Sequence, residues 1–203
     1  ISGETVAAVP PSGDSPPGEV APQHRLVNLN GYPLTGQFQK AQILVYPVAE
    51  YEAISDEVAQ LIYELRILLD DRPANPEFIP LLPFWNAAQI FRSNVAYMEF
   101  QNGRGVRFLT QYGQDIGPIA NQRIFYSFQG LTDDGAYYVS VILPINHSAL
   151  PTADETTQEV YEQLAERYPE YLAEMTQMLN TQTNGFTPSL DTLDALVQSI
   201  EIH

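Results

Sequence analysis

Apolar residues recur at the spacing of one helical face over residues 58–69, where Val58, Leu61, Ile62, Leu65, Leu68 and Leu69 line up. Ser55 is placed to cap this helix, and Asp56 and Glu57 suit its positive end. Tyr63 and Ile67 widen the stripe, which predicts cover on more than one side. Pro73 disfavours a helical residue before it and sets the end near Asp70-Asp71-Arg72. Two carboxylates at that negative end call for an offsetting cation, and Arg72 is the nearest.

Elsewhere the period shortens to that of strands. Ala41 to Tyr46 is a short apolar run stopped by Pro47. Beyond a Pro-broken apolar loop from Phe78 to Trp85, residues 88–101 and 105–112 predict two strands around Asn102-Gly103, a pair suited to the positive φ of a type I′ turn. Residues 123–131 and 136–143 flank Thr132-Asp133-Asp134-Gly135, which suits a turn closed by a left-handed Gly. Phe125 and Leu131 are read on one face with Tyr137, Val139, Val141 and Leu143; Ile124, Tyr126 and Phe128 are read on the other with Tyr138 and Ile142. Both faces are therefore greasy, and a sheet of that kind needs cover on both. From Thr152 onward the pattern is helical: Thr156 and Glu159 form a capping box, Pro169 is expected to break or kink the run, and Leu190, Leu193, Leu196, Val197 and Ile200 make a last amphipathic segment. The fold class expected is α+β, an antiparallel sheet built from two hairpins and covered by helices on both faces.

Residues 1–25 lack any such period and are rich in Pro, Gly and Ser (Val9-Pro10-Pro11-Ser12-Gly13, Ser15-Pro16-Pro17-Gly18), which predicts a disordered linker ahead of one domain over 26–203. A chain that opens on Ile1 rather than Met is expected to have lost a leader. A polar tail of this kind fits an exported protein with an N-terminal lipid anchor, and it equally fits an ordinary floppy terminus.

Charge narrows the partners. Twenty-five acidic residues against nine basic ones leave a net −16, which repels phosphate backbones and argues against nucleic acid. No uncharged apolar window of about 18 residues exists to span a membrane. The absence of cysteine excludes disulfides, thiolate metal sites and cysteine nucleophiles.

Candidate chemistry is sparse. No Gly-x-Ser-x-Gly occurs, and with His24 in the linker and His203 terminal, only His147 is placed to act as a base; a plain surface histidine in a strand-exit loop is the alternative. Glu99 and Asp115 are the acids of the sheet region, read either as a carboxylate pair or as rim residues. Asp133-Asp134-Gly135 lacks the continuation of a calcium loop and reads as turn chemistry. No cofactor or metal set is expected. Residues 92–132 hold Arg92, Arg104, Arg107 and Arg123 against only Glu99 and Asp115, a relatively basic spot on an acidic chain. With rings interleaved, Arg104, Arg107, Tyr112, Arg123 and Tyr126 form a candidate patch for an anionic or carbohydrate ligand; alternatively these arginines pair with the protein's own carboxylates. Residues 154–201 carry ten acids and one base, Arg167, a solvated face or a docking surface for a basic partner.

The stretches Gly105 to Tyr112, Phe125 to Gly135 and Leu143-Pro144-Ile145-Asn146 resemble a family of exported, lipoprotein-type bacterial domains without an assigned activity, over residues 36–155. The order strand, helix, two hairpins, C-terminal helix is also similar to PsbP-like domains, antiparallel sheets between helices. The resemblance implies a binding or assembly module and carries no catalytic residue with it. The function expected is a non-enzymatic extracytoplasmic binding or assembly module for a protein or carbohydrate partner. The alternatives are a hydrolase with a dispersed carboxylate or His147 site, and a purely structural oligomeric domain.

Overall fold

The computed structural model describes residues 1–11, 20–36, 40–153, 161 and 164–203. Its frame is one antiparallel sheet of seven strands in the order β1-β2-β3-β9-β8-β6-β5. The strands are β1 (Ser2–Val6), β2 (His24–Asn28), β3 (Gln42–Pro47), β5 (Ser93–Phe100), β6 (Gly103–Thr110), β8 (Phe125–Thr132) and β9 (Tyr137–Pro144). Two small ladders flank it: β4 (Ala88–Gln89) with β7 (Tyr112–Gly113), and β10 (Asn146–His147) with β11 (Phe186–Thr187). The helices are α1 (Val48–Glu52), α2 (Asp56–Asp71), α3 (Tyr168–Thr181) and α4 (Leu190–Gln198).

The sheet is thus larger than two hairpins. Three strands from the N-terminal quarter extend it past β9, and the outermost lies in the stretch expected as linker. β1 needs no apolar face because it is an edge strand: its backbone pairs with β2, and Arg25 to Thr5, Asn28 to Glu4 and Asn30 to Ser2 tie the two across the surface. Val9 and Ala21 exchange backbone hydrogen bonds at 2.9 and 3.1 Å and continue the pairing towards the connection.

α2 starts where the sequence places it, with Ser55 Oγ accepting from the Val58 N–H. It ends on Arg72 in the left-handed region (φ 47°), whose N–H reaches Leu68 O. The cation offsetting the carboxylates is Arg104 from β6, paired with Asp70, while Arg72 Nε donates to the Leu69 carbonyl. Tyr63 and Ile67 stand 54% and 42% exposed, so only one stripe of this helix is covered.

The β8–β9 register corrects the face assignment. Leu131 pairs with Tyr138 and Tyr126 with Leu143, so Phe125 and Leu131 share their face with Tyr138 and Ile142. Opposed residues lie on the same face, and a shift of one exchanges every side chain. The turn fixes this register: Thr132 Oγ1 accepts from the Tyr137 N–H and donates to Asp134, and Gly135 closes it at φ 69°, as its sequence predicts.

At the β5–β6 turn neither Asn102 nor Gly103 takes a positive φ, so this is not the type I′ turn expected. Phe100 pairs with Gly103, and Gly103 is needed because a Cβ there would lie 2.2 Å from Phe100 Cζ and 2.4 Å from the Leu131 carbonyl. The Asn102 amide grips the C-terminal tail instead, donating to and accepting from the backbone of Ile202.

Two buried clusters divide the sheet residues. One joins Leu44, Tyr46, Phe108 and Tyr138 to Val58, Ile62, Leu65 and Leu69 of α2 and to Ile79, Leu81 and Leu82. The other joins Val45, Tyr126, Phe128 and Val141 to Leu179 of α3 and to Leu190, Leu193 and Val197 of α4. The run breaks at Pro169 as its sequence predicts: residues 164–165 are helical, residues 166–167 turn, and α3 starts afresh at Tyr168 with the proline in its first turn, where it gives up no intrahelical bond. The capping box at Thr156 and Glu159 lies outside the described residues. Among those described, no helix is long and apolar enough to cross a membrane.

Candidate functional site

The loop from residue 73 to residue 87 follows α2 back across the sheet, and its apolar residues divide into anchors and displayed rings. Ile79, Leu81 and Leu82 are buried, whereas Phe78 and Phe84 are exposed and Trp85 is partly buried. A polar network inside the core fixes the anchor. Gln129 of β8 accepts from the Leu82 N–H (3.2 Å) and the Tyr138 hydroxyl (2.6 Å), and its amide donates to Ser127 (2.8 Å) and Ser140 (3.1 Å). Ser140 in turn donates to the Leu82 carbonyl. All four side chains are fully buried, and both ends of the Gln129 amide are used, so the network costs no unpaired group. These are the polar positions on a sheet face that the sequence reading took as wholly apolar.

Past this anchor the chain presents Trp85 and then pairs β4 with β7. Trp85 meets Tyr112 edge-to-face at 5.0 Å and leans on Phe125 at 5.2 Å. Gln89 ties the assembly together by donating to Ile79 O (3.1 Å) and the Tyr112 hydroxyl (3.2 Å). Burial pushes the Tyr112 phenol up to about 12, against the hydrogen bond from Gln89, which pulls it down. Across the opening, Gln114 donates to Asn86 O at 2.8 Å, Asp115 and Ile116 are exposed, and Arg123 and Tyr161 close the wall.

Two hollows meet at this ring pair. The larger, 660 Å³, runs from Trp85 past Gln114 and Asp115 to Arg123 and Tyr161; the smaller, 320 Å³, runs from Trp85 past Phe84 and Phe78 to Arg92. Trp85, Ala87 and Tyr112 line both, so the rings form a ridge between two adjacent hollows. A more open hollow of 840 Å³ lies between residues 74–77, β5 and α3, but among the described residues its polar rim of Asn75, Thr176, Gln177 and Asn180 has only the buried Phe91 as a ring.

The five patch residues do not converge on one place. Arg104 is spent on Asp70 at the end of α2. Arg107 and Tyr126 meet at Asp194 of α4, the guanidinium at 3.2 Å and the hydroxyl donating at 2.9 Å, and Arg107 also donates to Asn94 O. Burial and then the Asp194 carboxylate raise the Tyr126 phenol. Tyr112 and Arg123 alone of the five reach the cleft. Strand alternation sends Arg104 and Arg107 to opposite faces, which is why sequence proximity misleads. His147 is neither a surface residue nor a base in a cleft: it is 1% exposed, packs edge-on to Phe186, accepts at Nδ1 from the Ala149 N–H and faces Gln182 O with Nε2 at 2.9 Å. Glu99 lies opposite Arg104 on β5, away from Asp115 in the cleft, so these two carboxylates do not form a pair. Trp85 and Gln129 were missed by sequence reasoning, although the single tryptophan in an apolar, aperiodic loop was the available signal.

No family model, no curated protein and no solved structure matches the chain.

Proposed function

We propose that the chain is a non-enzymatic binding module of the extracytoplasmic space, built as a sheet between α2 on one side and α3 and α4 on the other, with the Trp85–Tyr112 cleft as its ligand site. The observation that carries this reading is the ring pair itself, displayed at the junction of two hollows by a loop whose anchor is locked into the core by Gln129. Each hollow falls within the roughly 300–1,000 Å³ usual for ligand sites. A preformed site spends little of its binding free energy on ordering loops. Export and an N-terminal lipid belong to the same proposal and are tested by intact mass spectrometry of the native protein.

A fragment screen followed by amide and indole chemical shifts tests the site. Hits are expected to move Trp85 and the backbone around Tyr112 and Gln114. Hits that gather instead at the open hollow by Asn180, or scatter over the surface, contradict the proposal.

A further inference from the structure

We infer that the cleft takes a neutral oligosaccharide, laid across the Trp85–Tyr112 ridge with units in both hollows; this rests on the cleft being the ligand site. The lining is mixed in a particular way. Aromatic rings come from Trp85, Tyr112 and Tyr161, and among the other lining residues are planar polar groups: the amides of Asn86 and Gln114, the Asp115 carboxylate and the Arg123 guanidinium. A pyranose ring presents C–H groups on its faces and adjacent hydroxyls around its edge. Aromatic faces, which carry negative charge density, receive the C–H groups, and planar amide, carboxylate and guanidinium groups match pairs of neighbouring hydroxyls in bidentate fashion.

Charge decides which sugars. Among the described residues, Arg123 and Asp115 line the larger hollow and Arg92 and Glu77 the smaller, one cation beside one anion in each. On a chain of net charge −16, such balanced hollows offer no sink for a polyanion. Extent decides the length. Because the ridge lines both hollows, one sugar unit fills only one side, and a chain gains contacts by crossing it.

Trp85 is the only tryptophan, so its emission reports occupancy directly. The full chain is titrated with neutral gluco- and N-acetylglucosamino-oligosaccharides of increasing length, beside an oligogalacturonate and a proline-rich peptide. The expected result is a saturable change in Trp85 emission with a neutral oligosaccharide, tightening with length. Asn86→Ala and Asp115→Ala, both at the exposed rim, are expected to keep the native circular dichroism and to weaken binding severalfold. Tyr112→Ala should weaken it at least about tenfold, as loss of a central aromatic contact does. A panel in which no neutral sugar perturbs Trp85 overturns the inference. If the galacturonate or the peptide perturbs it instead, the ligand class is wrong while the site stands. A neutral sugar that binds the Tyr112→Ala, Asn86→Ala and Asp115→Ala proteins as tightly as the native chain places the ligand elsewhere, and site and inference fail together.

Discussion

Gln129 is the residue on which the geometry of the cleft turns. Its amide spends both ends holding Leu82 and Ser140, and Leu82 is three residues from Trp85. Gln129→Leu keeps the size but strips the Leu82 N–H and the Tyr138 hydroxyl of their Gln129 acceptor in the core, at a cost of about 1–3 kcal/mol for each group left unpaired. Urea unfolding is expected to show that loss, and Trp85 emission to shift red as the loop loosens. The buried phenols make a second prediction at this scale. Burial lifts Tyr51 and Tyr112 from 10.0 to about 12. A raised phenol keeps its proton longer in the folded chain than in the unfolded one, so its contribution is complete below pH 10 and is lost as pH climbs towards 12. That contribution is on the order of 2 kcal/mol for each phenol. Chemical unfolding repeated at rising pH should give a stability that falls only above pH 10. A steady fall beginning near neutrality would contradict the assignment.

At the scale of elements, α4 is pinned by a charge rather than by grease alone. Asp194 receives Arg107 and Tyr126 from the sheet, with Arg107 only 11% and Asp194 only 22% exposed. Removing one partner of so enclosed a pair leaves the other uncompensated, and Asp194→Ala is expected to destabilise the chain by about 3 kcal/mol. Hydrogen exchange should show the loss first in α4 and in the tail held by Asn102. Exchange unchanged in α4 would assign the helix to apolar packing alone. These same elements show what could be read from the sequence. α2 was legible down to its Ser55 cap because helix signals are local: a period, a cap and a proline. The strands β6, β8 and β9 were legible for the same reason. The partner of Asp70, the register of β8 against β9, and the edge strand β1 were not, since each is decided by what lies opposite in space. β1 in particular is exposed from Ser2 to Thr5 and half-buried only at Val6, so no apolar pattern marks it.

For the whole molecule, the site was half legible. Tyr112 and Arg123 belonged to the expected patch and line the cleft, but Arg104, Arg107 and Tyr126 turned out to bind the fold's own carboxylates, the alternative the sequence left open. Trp85 escaped because a loop residue has no periodicity by which to be judged; only the core network explains why that loop stands where it does. A structural division of labour follows. The sheet and its buried amide network supply rigidity, and on the proposed function the loop after α2 together with β7 supplies recognition. A crystal structure grown with a neutral oligosaccharide that passes the emission titration tests this most directly. A sugar ring is expected against the Trp85 indole, with the chain continuing past Tyr112 into the second hollow. A sugar lodged beside Asn180 or along the β5 edge, with the Trp85 cleft unaltered, would contradict it.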